Sequence, residues 1–204
     1  MSDLAGRGDP KIPLDLREAI WALTNLYLDE HVSSAPHQHG LLGWTFDPAV
    51  PSANTTTPTD GVEHLIRVIP QRSEAVRSVL LHVASAGVTL TANQNWAGLR
   101  SASGLLLAKT ADQSTNWAST GSKVMALDAP VPVQAGQPYY VVFVANGTTK
   151  PLFVRGLNST LVNVGLATGR GRYMTNGSGL TDLPAQITMT DAAFYTFATW
   201  AGII

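Results

Sequence analysis

The sequence predicts a mainly β protein: an antiparallel β-sandwich, jelly-roll-like, preceded by an N-terminal arm and a single α-helix. Three observations carry this reading. From Gly61 onward, apolar residues recur at period two in short runs punctuated by Gly, Asn and Pro. Residues 96–101 and 105–110 flank a Gly-bearing connection and read as a hairpin. Residues 139–145 (YYVVFVA) are apolar at both phases, the pattern of a central strand covered on both sides.

Three segments follow: 1–32 as arm plus helix, 33–60 as linker, 61–204 as sandwich. Gly6, Gly8, Pro10 and Pro13 deny the first thirteen residues regular structure. Over 14–31 the spacing is helical. Asp15 stands as N-cap with Glu18 at capping-box distance, and Leu16, Ala19, Ile20, Leu23, Leu26 and Tyr27 make an apolar stripe. A helix this short is marginal alone in water, so its stripe needs a partner surface. Leu16, Ile20, Leu23 and Tyr27 are the candidate anchoring or oligomerisation contacts. Residues 33–60 hold Pro36, Pro48, Pro51 and Pro58 and read as a linker. Within them 41–46 (LLGWTF) is apolar enough to dock somewhere, and His37 and His39 form the one histidine cluster. In a strand both imidazoles would share a face, but no third ligand is evident, so no metal site is assigned.

In the sandwich, Val62, His64, Ile66 and Val68 alternate with Glu63, Leu65, Arg67 and Ile69, and Pro70 stops the run. Arg77, Val79, Leu81 and Val83 alternate with Val76, Ser78, Leu80 and His82. Residues 87–91 form a short strand. In the hairpin Ala97, Leu99 and Ser101 share one face, and Trp96, Gly98 and Arg100 the other. Residues 124–127 are a further candidate, and 131–138 read as a turn. Asn146-Gly147 is a turn signal and 151–155 a strand. Residues 156–182 read as long loops, and 186–189 and 193–200 close the domain.

Composition narrows the function classes. The chain has no cysteine, which removes disulfides and thiolate metal sites. Net charge is −1 and 13% of residues are charged, with no basic run to neutralise phosphates, so nucleic acid is not an expected partner. No apolar run approaches the ~20 residues of a membrane helix, and 1–16 has no apolar signal core, so synthesis in a cytosol is expected, without a membrane partner. Glutamate is absent after Glu74, and Asp112, Asp128, Asp182 and Asp191 stand apart, so a facing carboxylate pair has no support. No nucleophile elbow, phosphate loop or dinucleotide fingerprint occurs. The expectation is a non-enzyme without cofactors.

Recognition then falls to aromatic and amide groups. A sugar's apolar face stacks on a flat ring while its hydroxyls take directional partners. Trp96, Trp117 and Tyr139, with Gln94, Asn95 and Asn116 beside the tryptophans, are the candidate glycan contacts. The same tryptophans also suit a core or a subunit interface.

The phrases GVTLTANQNWAGLRSASGLLLAKTADQSTNW (87–117), MALDAP (125–130) and AGQPYYVVF (135–143) resemble a β-sandwich module of tail and capsid appendage proteins of phages that infect actinobacteria. The likeness spans about a third of the chain. It implies a virion structural protein, a capsid decoration or fibre protein or a minor tail protein. It also implies a homotrimer, with the N-terminal segment attached to other virion proteins and the β-rich part projecting outward. Host-surface carbohydrate is the expected external partner. The competing expectation is a free-standing carbohydrate-binding or cell-wall-associated module.

Overall fold

A computed structural model describes residues 35–49, 55–156, 158–159 and 161–204. The expected helix, with Leu16, Ile20, Leu23 and Tyr27, lies outside the described residues. Within the compact unit Pro36–Ile204 the strands run in order as β1 (Gly43–Trp44), β2 (Thr55–Thr56), β3 (Glu63–Val68), β4 (Glu74–Ser85), β5 (Val88–Leu90), β6 (Trp96–Ser101) and β7 (Leu106–Lys109). They continue as β8 (Gly121–Val133), β9 (Tyr139–Val144), β10 (Gly147–Thr149), β11 (Leu152–Val154), β12 (Tyr173–Asn176), β13 (Ala193–Phe194) and β14 (Ala201–Ile203).

Two six-stranded antiparallel sheets result, beside a two-stranded one of β10 and β5. The first has the order β1-β14-β4-β11-β2, with β8 on the other edge of β4; the second runs β13-β12-β3-β9-β6-β7. The chain steps between them, β3 in the second, β4 in the first, β6 in the second, β8 in the first, β9 in the second. This alternation wraps the apolar faces against each other, as in double-sheet folds.

The core between the sheets takes Val79, Leu81, Val83, Met125, Phe153 and Ile203 from the first, and Ile66, Val68, Ala97, Leu99, Val141 and Phe143 from the second. Burial of these side chains supplies the main driving force, about 1.5–3 kcal/mol for each large one. Trp117 sits at the centre, edge-on to Phe153 at 5.4 Å and to Phe143 at 6.2 Å. The opposite face of the second sheet is also buried. Leu65, Tyr140, Val142, Val144 and Met174 pack under Leu183, Ile187 and Met189 of the 177–192 segment. That third layer explains why β9 is apolar at both phases.

The hairpin forms as its sequence predicts. Gly104 takes φ 90° and its amide donates to the Ser101 carbonyl at 3.1 Å. A Cβ there would lie 2.2 Å from the Ile187 carbonyl oxygen, so glycine is required by both conformation and space.

Several expectations are corrected. The stretch read as a linker supplies strands: Gly43 and Trp44 pair with Ile203 and Gly202, and Thr55 and Thr56 pair with Val154 and Phe153. Each of these strands is only two residues long, too short to show a period. Strict alternation put Val76 opposite Val79; a register shift between Val76 and Ser78 brings both into the core. The turn expected over 131–138 is strand as far as Val133, with Val131 and Val133 buried. Pro130 and Pro132 are tolerated because β8 has its ladder partner, β4, along one side. The long-loop reading of 156–182 missed β12; of 193–200 only Ala193–Phe194 is strand, and the chain closes with Ala201–Ile203. His37 and His39 lie on a 3-10 turn, Pro36–His39, not on a strand.

Candidate functional site

The residues expected to touch glycan do not form one surface. Trp117 is 0% exposed, and its indole N–H points at the Met125 sulfur, 3.3 Å away. It is a core residue and cannot stack on a ligand. The size and apolarity that make tryptophan a good platform make it an equally good core filler. Asn95 is likewise buried. Its amide donates to the Thr91 carbonyl at 2.6 Å, its side-chain oxygen accepts the Asn146 amide at 3.0 Å, and its own backbone N–H is held by the Asp112 carboxylate at 3.0 Å. Asn146 then donates to the carbonyls of Gln94 and Leu180, both at 2.9 Å. Asn116 donates to the Gln113 side chain at 2.8 Å. The Asn95 and Asn146 side chains satisfy loop backbone, which would otherwise carry a desolvation cost of about 1–3 kcal/mol per buried group.

Trp96 is half-exposed but already engaged. Its N–H donates to the Thr181 carbonyl at 3.0 Å, and the Lys109 ammonium covers its ring at 4.5 Å. Lys109 is itself paired with Asp182 at 2.6 Å. Tyr139 is half-buried, its hydroxyl accepting the Gln134 amide at 3.2 Å. So Gln94, Asn95, Trp96 and Asn116 pin the loops at one end of the hairpin, and Tyr139 stands apart from them at the start of β9.

Strongly shifted groups are sealed in packing. Glu63, on the outer face of β3, receives two N–H donors from Arg100, at 3.1 and 2.5 Å, and both side chains are fully buried. Arg100 also donates to the carbonyls of Gly104 at 2.6 Å and Pro184 at 2.8 Å, which ties the covering segment to the sheet. Burial raises the Glu63 carboxyl, with the Arg100 charge opposing. His64, on the inner face, stacks on Phe143 at 4.7 Å, and its Nδ1 is 2.6 Å from the Tyr173 hydroxyl. Burial lowers its pKa to about 4 and raises that of Tyr173. Burial also raises the Tyr140 phenol, whose hydroxyl donates to the Gly169 carbonyl at 3.4 Å. None of these four lines one of the surface clefts described below.

The open recess with recognition chemistry lies elsewhere. A cleft of about 460 Å³ is lined by Trp44 and Thr45 of the β1 region, Arg67 and Ile69 of β3 and its end, Leu161, Val162, Val164 and Leu166, and Arg172. A neighbouring cleft of about 370 Å³ shares Leu161, Val162 and Arg172 and adds Phe46 and Ser159. The 161–172 segment forms the wall through successive turns, with amides of Val162, Val164, Leu166 and Arg170 donating three residues back. Asn163 locks it: its amide donates to the Tyr195 carbonyl at 2.7 Å and its oxygen accepts the Arg172 amide at 2.8 Å. The Arg172 guanidinium donates to the Thr45 carbonyl at 2.9 Å. Leu161 is 72% exposed and Val164 68%.

Sequence reasoning passed over Arg67, Arg172, Asn163 and Trp44. Arg67 falls on the outward phase of β3, and Gly169-Arg170-Gly171-Arg172 is a short basic repeat; those were the available signals. Nothing local says that the two meet at one cleft. Among the described residues no three His, Cys, Asp or Glu side chains gather as a metal site.

Fold and cleft define a class, an antiparallel β-sandwich with a cationic, aromatic-walled recess. Compared with known proteins, the chain matches no protein-family model and no curated protein.

Proposed function

We propose that this protein is a non-enzymatic virion structural protein, of the capsid decoration, fibre or minor tail kind. Its N-terminal region attaches to the particle and assembles the oligomer, and its β-sandwich projects outward and contacts host-surface carbohydrate. The observation that carries the non-enzymatic part is the placement of the shifted acid–base groups. Glu63, His64, Tyr140 and Tyr173 are all packed inside, where they stabilise layers rather than meet a substrate. The virion part is supported by the sequence resemblance and by the helical spacing of apolar residues in the sequence of 14–31, which as a helix would need a partner surface. The carbohydrate part is supported by the Trp44 cleft, in place of the Trp96–Trp117 surface expected from the sequence.

The test is to quantify the protein in purified particles and to measure its mass in solution, with and without residues 1–32. The expected result is a fixed multiple-copy number per particle, an oligomer for the full chain, and loss of attachment on truncation. A monomer that is absent from particles yet binds carbohydrate would sink the virion reading and leave the free-standing binding module.

A further inference from the structure

We propose that the Trp44 cleft is a site for an acidic saccharide, with the ligand's oxyanion held by Arg67 and Arg172 and its apolar sugar face against the Trp44 side of the recess. This rests on the carbohydrate-contact reading above and narrows it to a substrate class.

Three features point to an anion. First, both cations lining the cleft are arginines, and no acidic side chain lines it. Second, among the described residues neither arginine is paired with a carboxylate. Arg72, Arg100, Lys109 and Lys150 each have one. Third, their donors are under-used. A guanidinium offers five N–H donors. Arg172 spends one on the Thr45 carbonyl, and Arg67 makes one long contact of 3.5 Å to the Arg170 carbonyl. The Arg67 Nε is buried and has no hydrogen-bond partner. That Nε is sealed from the cleft, so a ligand oxygen meets the terminal guanidinium nitrogens, which make only the long Arg170 contact. Planar guanidinium groups suit carboxylate and phosphate because both present paired oxygens.

The remaining lining points to sugar rather than to a bare ion. Trp44, Ile69, Leu161 and Val164 give apolar contact area, and the Thr45 hydroxyl and backbone lie beside it. The volume, about 460 Å³, falls within the span usual for small-ligand sites, about 300–1,000 Å³. Carboxylate-bearing uronic acids and phosphate-bearing polyol chains share this chemistry.

The experiment is titration calorimetry on the full chain with three probes: a galacturonic acid tetramer, a glycerol-phosphate oligomer and maltotetraose as the neutral sugar. One or both acidic probes are expected to bind about tenfold or more tightly than maltotetraose, with affinity falling as salt rises. Comparison of the two acidic arms tells carboxylate from phosphate. Arg67→Gln is expected to lose about tenfold for the acidic probe. Ile69→Glu, which places a carboxylate at an exposed lining position, is expected to abolish binding. Lys109→Gln, a cation outside the cleft, is expected to change nothing. Thermal melting of each variant separates a lost contact from a lost fold. Equal affinity for maltotetraose and the acidic probes overturns the acidic assignment and leaves carbohydrate contact standing. Acidic binding that ignores Arg67→Gln and Ile69→Glu overturns the site. No binding of any of the three overturns the assignment and the carbohydrate part of the function together.

Discussion

Glu63 and His64 are adjacent on β3 and face opposite layers. His64 enters the core between the sheets, where it packs against the rings of Phe143 and Tyr173. Glu63 enters the layer under the 177–192 segment, where it meets Arg100. The two layers are closed by different means. The inner one is closed by ring packing and aliphatic burial. The outer one has fewer large side chains to bury, and an ion pair with backbone carbonyl contacts fastens its cover. A buried ion pair contributes little net stability but is costly to break, so it fixes where the segment lies more than how tightly it lies.

The inner layer should yield the largest loss. Trp117→Ala is expected to destabilise by about 3–5 kcal/mol in urea denaturation, because a fully buried indole leaves a cavity its rigid neighbours cannot fill. A loss under about 1 kcal/mol would mean that the centre of the sandwich is not where the packing places it.

In the outer layer, Arg100→Met alone should cost about 3 kcal/mol by leaving Glu63 buried without its partner. The Glu63→Leu/Arg100→Met double variant should recover most of that. If the double is as unstable as the single, the pair does more than satisfy itself, and the carbonyl contacts to Gly104 and Pro184 carry the difference.

The two residues should also oppose each other in pH. His64 has a folded pKa of about 4 against 6.5 in the unfolded chain, so the unfolded state takes up its proton first. Its contribution is full above pH 6.5 and is lost as pH falls toward 4, by up to about 3 kcal/mol. Glu63, with its pKa raised, contributes most below its unfolded value, and that contribution is lost as pH rises through its folded value. Stability measured from pH 7 to 4 should fall, and His64→Leu should remove the fall. A variant that keeps the same slope would assign it to other groups.

The smallest effect belongs to the surface. Asp182→Asn, which breaks the partly exposed pair with Lys109 over Trp96, should cost under about 1 kcal/mol in the same denaturation assay. A larger loss would show that the cover of the outer layer depends on its rim.

The legible parts of this protein are those where a period survives in the chain. β3 and β6 follow from alternation, β7 from the hairpin, β9 from a run apolar at both phases, and the Gly104 turn from the residue that alone tolerates its φ. β1 and β2 were not legible, because two-residue strands owe their existence to partners at 202–203 and 153–154. The Val76 register shift hid for the same reason: which phase faces inward is decided by the opposing strand. Of the candidate site, aromatic identity was readable and exposure was not. Trp117 and Trp96 share a sequence neighbourhood, yet one is central core and the other lies under a lysine.

By itself, then, the sequence determined the antiparallel β class, the hairpin and the doubly covered central strand, because backbone periodicity and turn chemistry act over a few residues. Only the tertiary structure decided which aromatics are core, which polar groups are sealed, and that Trp44, Arg67 and Arg172, more than a hundred positions apart at the extremes, line one cleft. Burial and electrostatic environment are properties of neighbours in space, and no local pattern of residues encodes them.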